Sequence, residues 1–320
     1  MNDAPANRLE HYPVTFFAIV MGLLGLTLAL HSAGRFLPVA EAASGVMLWV
    51  SLGVFGVIAA LYFAKLLRYP GAVIAEWHHP VKLAFFPTMT ISLLLLAAAL
   101  QTSQPALAEW VWLIGVAGQG VLTLAVVSGW ISHRSFEVGH LTPAWFIPAV
   151  GNVIVPIAGA RMGYIEISWL FFAGGTMFWG ILLTMVINRL VFHDPMPGRL
   201  FPTMVILIAP PSVAFTAYVG MNGVIDGFAR TLIYMAYIFA ALVVMQLPKL
   251  ARLPFALSWW ALSFPLAALA IASFLFGRLE SSALHRGLGT GVLVVLVFVV
   301  AGLALRTGLA IWRGEVCRPE

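Results

Sequence analysis

The sequence predicts an all-α membrane protein: ten transmembrane helices, paired as five hairpins in a quasi-five-fold arrangement, with the odd helices inside lining a central pore. Three observations predict it. Apolar residues make up 62% of the 320 residues and charged residues only 9%, against about 25% charged in ordinary soluble domains; the mean hydropathy is +0.99. The apolar residues gather into ten runs long enough to cross roughly 30 Å of hydrocarbon. Prolines alternate from run to run. This composition excludes a disordered chain, a disulfide-stapled secreted fold and a nucleic-acid-binding module. The net charge of +5 is better explained by membrane topology. A single cysteine, Cys317, allows no intramolecular disulfide and no cysteine-built metal site.

In order, the runs cover Val14–His31, Val46–Leu67, Leu83–Leu100, Trp110–Ser132 and Leu141–Ala158. Ile165–Ile187, Pro202–Val219, Gly227–Leu247, Leu253–Phe276 and Gly287–Trp312 follow. They are continuous rather than alternating, which argues for helices over barrel strands. Short connections carry nearly all the charge, so residues 1–320 read as one ten-helix domain with tails 1–13 and 313–320. The first run exceeds a signal-peptide core and lacks a small-residue cleavage site, so it reads as an uncleaved anchor. An even number of spans puts both termini on one side. Twelve of the seventeen Lys and Arg residues fall on that side, leaving Arg35, Arg161, Arg230, Arg278 and Arg286 opposite. Positive charge marks the cytoplasmic face, which places both termini there.

The odd runs carry the interruptions. The first has Pro13 at its mouth and Gly22 and Gly25 inside; the third has Pro87; the fifth has Pro143, Pro148 and Pro156. Pro202, Pro210 and Pro211 lie in the seventh and Pro265 in the ninth, whereas the even runs contain none. Odd runs recur about every sixty residues, longer than the usual solenoid repeats. Proline kinks a helix by removing a donor and crowding the preceding turn. Such backbone is tolerated at membrane depth only against protein or a water-filled cavity. Gly22, Pro87, Pro148, Pro210 and Pro265 are therefore expected to bend five inner helices around a conduit, with straight even helices facing lipid. Proline and glycine are common in membrane helices generally, so the alternation carries the argument rather than the abundance. Five helices about 9–10 Å apart have axes roughly 8 Å from the centre. Subtracting a helix radius of about 5 Å leaves a bore of radius about 3 Å.

The odd runs hold no Asp, Glu, Lys or Arg between their ends, so no proton relay is visible. Their polar groups are mild, among them Thr88, Thr90, Ser92, Asn152, Thr216 and Ser263, and a neutral, hydroxyl-lined bore is expected. Weak binding there favours fast exit of small anions, enriched by the positive cytoplasmic rim within a screening length of about 8–10 Å. Histidines sit at run ends or in loops and read as interfacial. Most of the 22 phenylalanines pack against lipid or neighbours. Phe264 differs: it precedes Pro265 mid-run, beside Ser263, where a kink would turn the ring into the bore as a hydrophobic gate. Phe16, Phe86, Phe146, Asn152, Phe215 and Ser263 are the other pore-lining candidates. Glu76-Trp77-His78-His79, read as a short interfacial loop, offers one carboxylate and no metal site. Gly287–Gly291 has no preceding strand and is no nucleotide loop. No nucleophile–base pair is seen, and neither enzyme chemistry nor a cofactor is expected.

Ala75-Glu76-Trp77-His78-His79-Pro80-Val81-Lys82, leading to Phe85-Phe86-Pro87, resembles the lead-in to the third helix of the tellurite-resistance/dicarboxylate transporter family. Pro143 and Phe146-Ile147-Pro148-Ala149-Val150-Gly151-Asn152 resemble its fifth helix, and Trp260-Ala261-Leu262-Ser263-Phe264 its ninth. The family includes bacterial TehA, which these motifs resemble, with fungal malate permeases, sulfite exporters and plant slow-type guard-cell anion channels. The resemblance implies a homotrimer in a bacterial inner membrane, a pore in each protomer, and Phe264 as the residue that blocks it. The first helix departs from TehA-like relatives, which carry a proline there, so any bend must come from glycine. The resulting expectation is an anion channel or channel-like permease for chloride- or nitrate-sized anions. The alternative is a proton-coupled carrier for C4-dicarboxylates, tellurite or sulfite.

Overall fold

The computed structural model describes residues 8–132 and 136–318; His133 and Arg134, expected at a span end, lie outside them. The described residues form helices α1 (Phe17–Gly34), α2 (Pro38–Arg68), α3 (Pro70–His78), α4 (Thr88–Leu100), α5 (Pro105–Ser132) and α6 (Phe146–Val150). There follow α7 (Val155–Gly159), α8 (Ile165–Phe192), α9 (Ala209–Asn222), α10 (Gly227–Leu250), α11 (Ser263–Leu279) and α12 (Ala283–Trp312), with no strand among the described residues. Among the described residues, nine helical stretches are long and apolar enough to cross a membrane.

Three expectations need correction. The fifth run is not one long helix but a broken apolar segment, Pro143–Gly159, assembled from 3-10 turns, α6 and α7. Three prolines within fourteen residues leave no uninterrupted stretch of backbone donors there. The helix of the eighth run is longer than the run and is not proline-free: α10 continues past Leu247 and takes in Pro248 in its last turn. Glu76-Trp77-His78 lies in a helix, α3, opened by Pro70 at its first position, rather than in a loop.

The prolines of the inner segments share a position that explains how they are tolerated. Each α-helical part is preceded by a 3-10 stretch: Val14–Phe16, Lys82–Phe85, Pro143–Trp145, Phe201–Ile208 and Leu257–Leu262. Pro87 is the N-cap of α4, Pro210 falls in the first turn of α9, and Pro265 is the third residue of α11. A first-turn residue has no intrahelical acceptor to lose, so proline starts these helices rather than kinking continuous ones. Nor is α1 interrupted at Gly22; it runs unbroken from Phe17 to Gly34.

Carbonyls loosened at the junctions are recovered by side chains. Thr88 donates to Phe85 O at 2.5 Å, Thr90 to Pro87 O at 3.0 Å and Ser212 to Ile208 O at 2.8 Å. Ser263 donates to Trp260 O at 2.6 Å. In the broken fifth segment, α5 supplies the donors: Thr123 Oγ1 and Gln119 Nε2 reach Pro148 O at 2.9 and 3.3 Å, and Trp112 Nε1 reaches Val155 O at 3.0 Å.

Burial separates the two kinds of helix. In Val14–Gly34, Lys82–Leu100, Phe201–Asn222 and Leu257–Leu279, 72–78% of the most apolar window is buried; in α2, α5, α8, α10 and α12 the share is 17–39%. The first group packs as a closed cycle, with α1 against α11 and α4, α4 against α7, α7 against α9, and α9 against α11. Gly22 and Gly25 let α1 approach α11: a Cβ at Gly22 would stand 2.9 Å from Ser263 Cβ, and one at Gly25 would stand 3.0 Å from Ala267 Cβ. The second group carries the exposed large side chains, including Trp49, Trp110, Phe192, Phe298 and Trp312.

Candidate functional site

The ring encloses a cavity of about 120 Å³ lined from all five inner segments. α1 contributes Gly25, Leu28, His31 and Ser32; α4 contributes Leu95 and Ala98; α7 contributes Ile157; α9 contributes Val213 and Thr216. α11 contributes Phe264, Ala268, Ile271, Phe274, Leu275 and Arg278. Apart from Phe264, the lining runs from mid-helix positions such as Gly25, Val213 and Ala268 to residues at the helix C-termini, so the cavity reaches from the middle of the ring to the end where the inner helices stop. From Phe264 to Arg278 the helical rise is about 21 Å, giving a vestibule with Phe264 at its base. Phe264 is half-buried between the buried Ser263 and Pro265. Its ring occupies the space left by Gly25, where a Cβ would lie 3.4 Å from Phe264 Cδ2.

The wall is apolar and the mouth is not. Arg35, just beyond α1, Arg161, two residues beyond α7, and Arg278, in the last turn of α11, all line the cavity. Cations at helix C-termini oppose the negative end of the helix dipole, which explains one arginine per helix. It does not explain why three turn into one cavity. None of the three pairs with a carboxylate among the described residues. Burial, and after it the charge of Arg35, draws the Arg161 pKa below the usual arginine value. The nearby acids are engaged elsewhere: Glu41 with His31 at 3.0 Å, and Glu280 with Arg230 at 2.5 Å. A second cavity of about 210 Å³, lined in part by Glu41, Ser44 and Ser103, shares Leu28, His31 and Thr102 with the first.

Of the sequence candidates, Phe264 lines the vestibule and the rest lie elsewhere. Phe16 stacks on Tyr12 at 4.6 Å, Phe86 meets Trp77 edge-on at 5.0 Å, and Phe146 and Phe215 are fully buried. Asn152 donates to Ala149 O at 2.9 Å, and Ser263 is buried against α1. Gly22, Pro87, Pro148, Pro210 and Pro265 do not touch the cavity. Of the mild polar groups, Thr216 lines the vestibule together with Ser32 and Thr102, whereas Thr88, Thr90, Ser92, Ser212 and Ser263 lie outside it and donate to backbone carbonyls. Hydroxyls at 3-10 junctions satisfy freed acceptors first. Sequence reasoning missed Arg35, Arg161, Arg278 and His31. The signal was present, because three of the five odd runs are followed within four residues by an arginine at the same end.

The opposite end also carries buried charge, but paired. Lys65 Nζ lies 3.0 Å from Glu76 Oε2 and donates to Tyr12 O at 2.8 Å. Tyr62 Oη and the Val14 N–H donate to the same carboxylate at 3.0 and 3.3 Å. The Glu76 carboxylate, set aside as a metal ligand in the sequence, thus fastens α2, α3 and the start of the first inner segment together.

A family model described as voltage-dependent anion channel matches residues 11–308. An uncharacterized transporter of Methanocaldococcus jannaschii is 25% identical, over 98% of each chain. The S-type anion channel SLAH3 of Arabidopsis thaliana is 26% identical over 96% of this chain and 49% of its own. The tellurite resistance protein TehA homolog of Haemophilus influenzae is 29% identical over 82% of this chain and 81% of its own.

Proposed function

The chain belongs to the voltage-dependent anion channel family, and from that premise we propose that it is an anion channel, or channel-like permease, passing small monovalent anions such as chloride and nitrate past a Phe264 gate. The observation that supports this reading is the vestibule: one cavity, lined by all five inner segments, positive at its mouth and ending on a single aromatic ring. In this reading the broken segment 143–159 is the fifth of ten crossings, and five hairpins surround the conduit. Both termini are cytoplasmic, so the arginines face the outside of a bacterial inner membrane. A homotrimer, which the family resemblance implies, would cover part of the apolar outer wall.

The arginines concentrate anions at the mouth through a field focused by low-dielectric walls. Leu28, Leu95, Ile157, Val213 and Ile271 then offer no fixed charge that would trap the ion, and weak binding speeds exit. Phe264 closes the base by excluding water from the narrowest stretch, and its displacement opens the path. The expected outcome is that Phe264→Ala raises chloride and nitrate conductance in planar bilayers. Reversal potentials under chloride, nitrate and malate gradients give the ion order. A folded Phe264→Ala protein with unchanged current would remove the gate from this account.

A second reading, a proton-coupled carrier for dicarboxylates, tellurite or sulfite, is favoured by one observation: the His31–Glu41 contact, 3.0 Å long, beside the vestibule. Substrate-driven proton uptake in liposomes, lost in His31→Gln, would select it over the channel.

A further inference from the structure

Three guanidiniums share the vestibule mouth without a carboxylate partner among the described residues. Arg161 lies within electrostatic reach of Arg35, and Arg278 within reach of both. A lysine or histidine cluster could shed a proton to relieve that repulsion; arginine does not at any physiological pH. All three are solvent-exposed, so water screens part of that repulsion, and an anion seated among them relieves the remainder. One singly charged ion leaves most of the positive charge uncompensated, whereas a doubly charged ion cancels two of the three charges. Each guanidinium presents a planar fork that engages two oxygens of an oxyanion at once. The cavity, about 120 Å³, is several times the roughly 10–15 Å³ that a single water needs in the same measure, enough for one partly hydrated oxyanion above Phe264. Leaving across the apolar base is another matter, because the Born cost of dehydration grows as the square of the charge and is roughly fourfold larger for a divalent ion.

We infer that Arg35, Arg161 and Arg278 together form a binding site for a doubly charged oxyanion of the sulfate class, which seats in the vestibule and plugs the conduit against monovalent anions. The plugging half of this inference rests on the channel reading above; the binding half does not.

The experiment is a sodium sulfate titration of the purified full-length protein in detergent at fixed ionic strength, with chloride as the balancing anion, read as the shift in unfolding midpoint. Wild type is expected to show saturable stabilisation by sulfate over chloride. Arg35→Gln and Arg161→Gln should each weaken half-saturation about tenfold. Arg161→Lys, which keeps the charge and loses the fork, should fall between, and it serves as the folded comparison should the glutamine variants assemble poorly. Arg313→Gln, at the far end of α12, should behave as wild type. Stabilisation that is linear in sulfate, or equal in the arginine variants, overturns the site. In bilayers, sulfate on the vestibule side should reduce the chloride current of Phe264→Ala, and Arg161→Gln should relieve that block. Saturable sulfate binding with no current in Phe264→Ala would uphold the site and overturn the channel. Current that ignores sulfate, in a protein that binds none, would do the reverse.

Discussion

The two ends of the inner ring treat charge in opposite ways. Where the first inner segment begins, Lys65 and Glu76 are buried 3.0 Å apart, with Tyr62, Tyr12 O and the Val14 N–H completing their hydrogen bonds. Where the inner helices end, Arg35, Arg161 and Arg278 are solvent-exposed and line an open cavity, with no carboxylate partner among the described residues. A charge sealed in protein has to be neutralised by protein, because its desolvation is otherwise uncompensated. A charge facing water can be left to solvent and mobile ions. The paired end therefore holds the fold, and the unpaired end is available to a ligand.

The sharpest way to break this contrast is to remove one member at each end. Glu76→Gln strands Lys65 in the interior and should lower unfolding free energy by about 3–5 kcal/mol, measured by denaturation in detergent. Lys65→Met combined with Glu76→Leu should recover most of that loss, since an apolar pair of similar volume needs no partner. Arg161→Gln should leave stability unchanged or slightly higher, because it relieves repulsion from Arg35, while lowering anion current. Comparable destabilisation at both ends would mean that the arginines, too, are structural.

A second contrast, between inner and outer helices, predicts smaller effects. Gly22→Ala on α1 pushes a methyl to 2.9 Å from Ser263 Cβ, and overpacking of this kind costs about 1–3 kcal/mol. Gly53→Ala on α2 meets nothing within 4 Å and should stabilise by up to about 1 kcal/mol through helix propensity alone. Opposite signs at two glycines of adjacent helices would sharpen the assignment of inner and outer roles.

How much of this was legible in the sequence follows from which interactions are local. Hydropathy runs are local, so the membrane class and nine of the apolar helices were readable. Alternating proline was readable as well, and it separated buried from exposed helices. Its mechanism was not, because whether Pro87 or Pro265 bends a helix or begins one depends on a 3-10 stretch that hydrophobic periodicity does not report. Thr88 and Thr90 read as hydroxyls of the bore, but their acceptors are carbonyls made available only by that local geometry. Phe264 was visible beside its proline. Arg35, Arg161 and Arg278 were counted as topological charges, because nothing in sequence spacing shows that three residues more than a hundred positions apart share one cavity.

The smallest expected effect concerns an acid at the vestibule end that engages a helix rather than an arginine. Asp226 caps α10, accepting from the Ala229 N–H at 2.9 Å and from Tyr218 Oη at 2.6 Å. The Ala229 bond first, and the Tyr218 bond after it, hold the carboxyl below its ordinary pKa. A carboxyl depressed in the folded state stabilises above the unfolded pKa of about 3.9 and loses that contribution as pH falls through the folded value. Asp226→Asn keeps a capping oxygen but has no charge to titrate. Wild type should therefore be slightly the more stable of the two at pH 7, with the gap closing below about pH 4. Because the carboxylate is solvent-facing, the gap should also shrink in high salt. A gap that instead persists at low pH would show that the cap acts through shape alone, and that charge at this end matters only inside the vestibule.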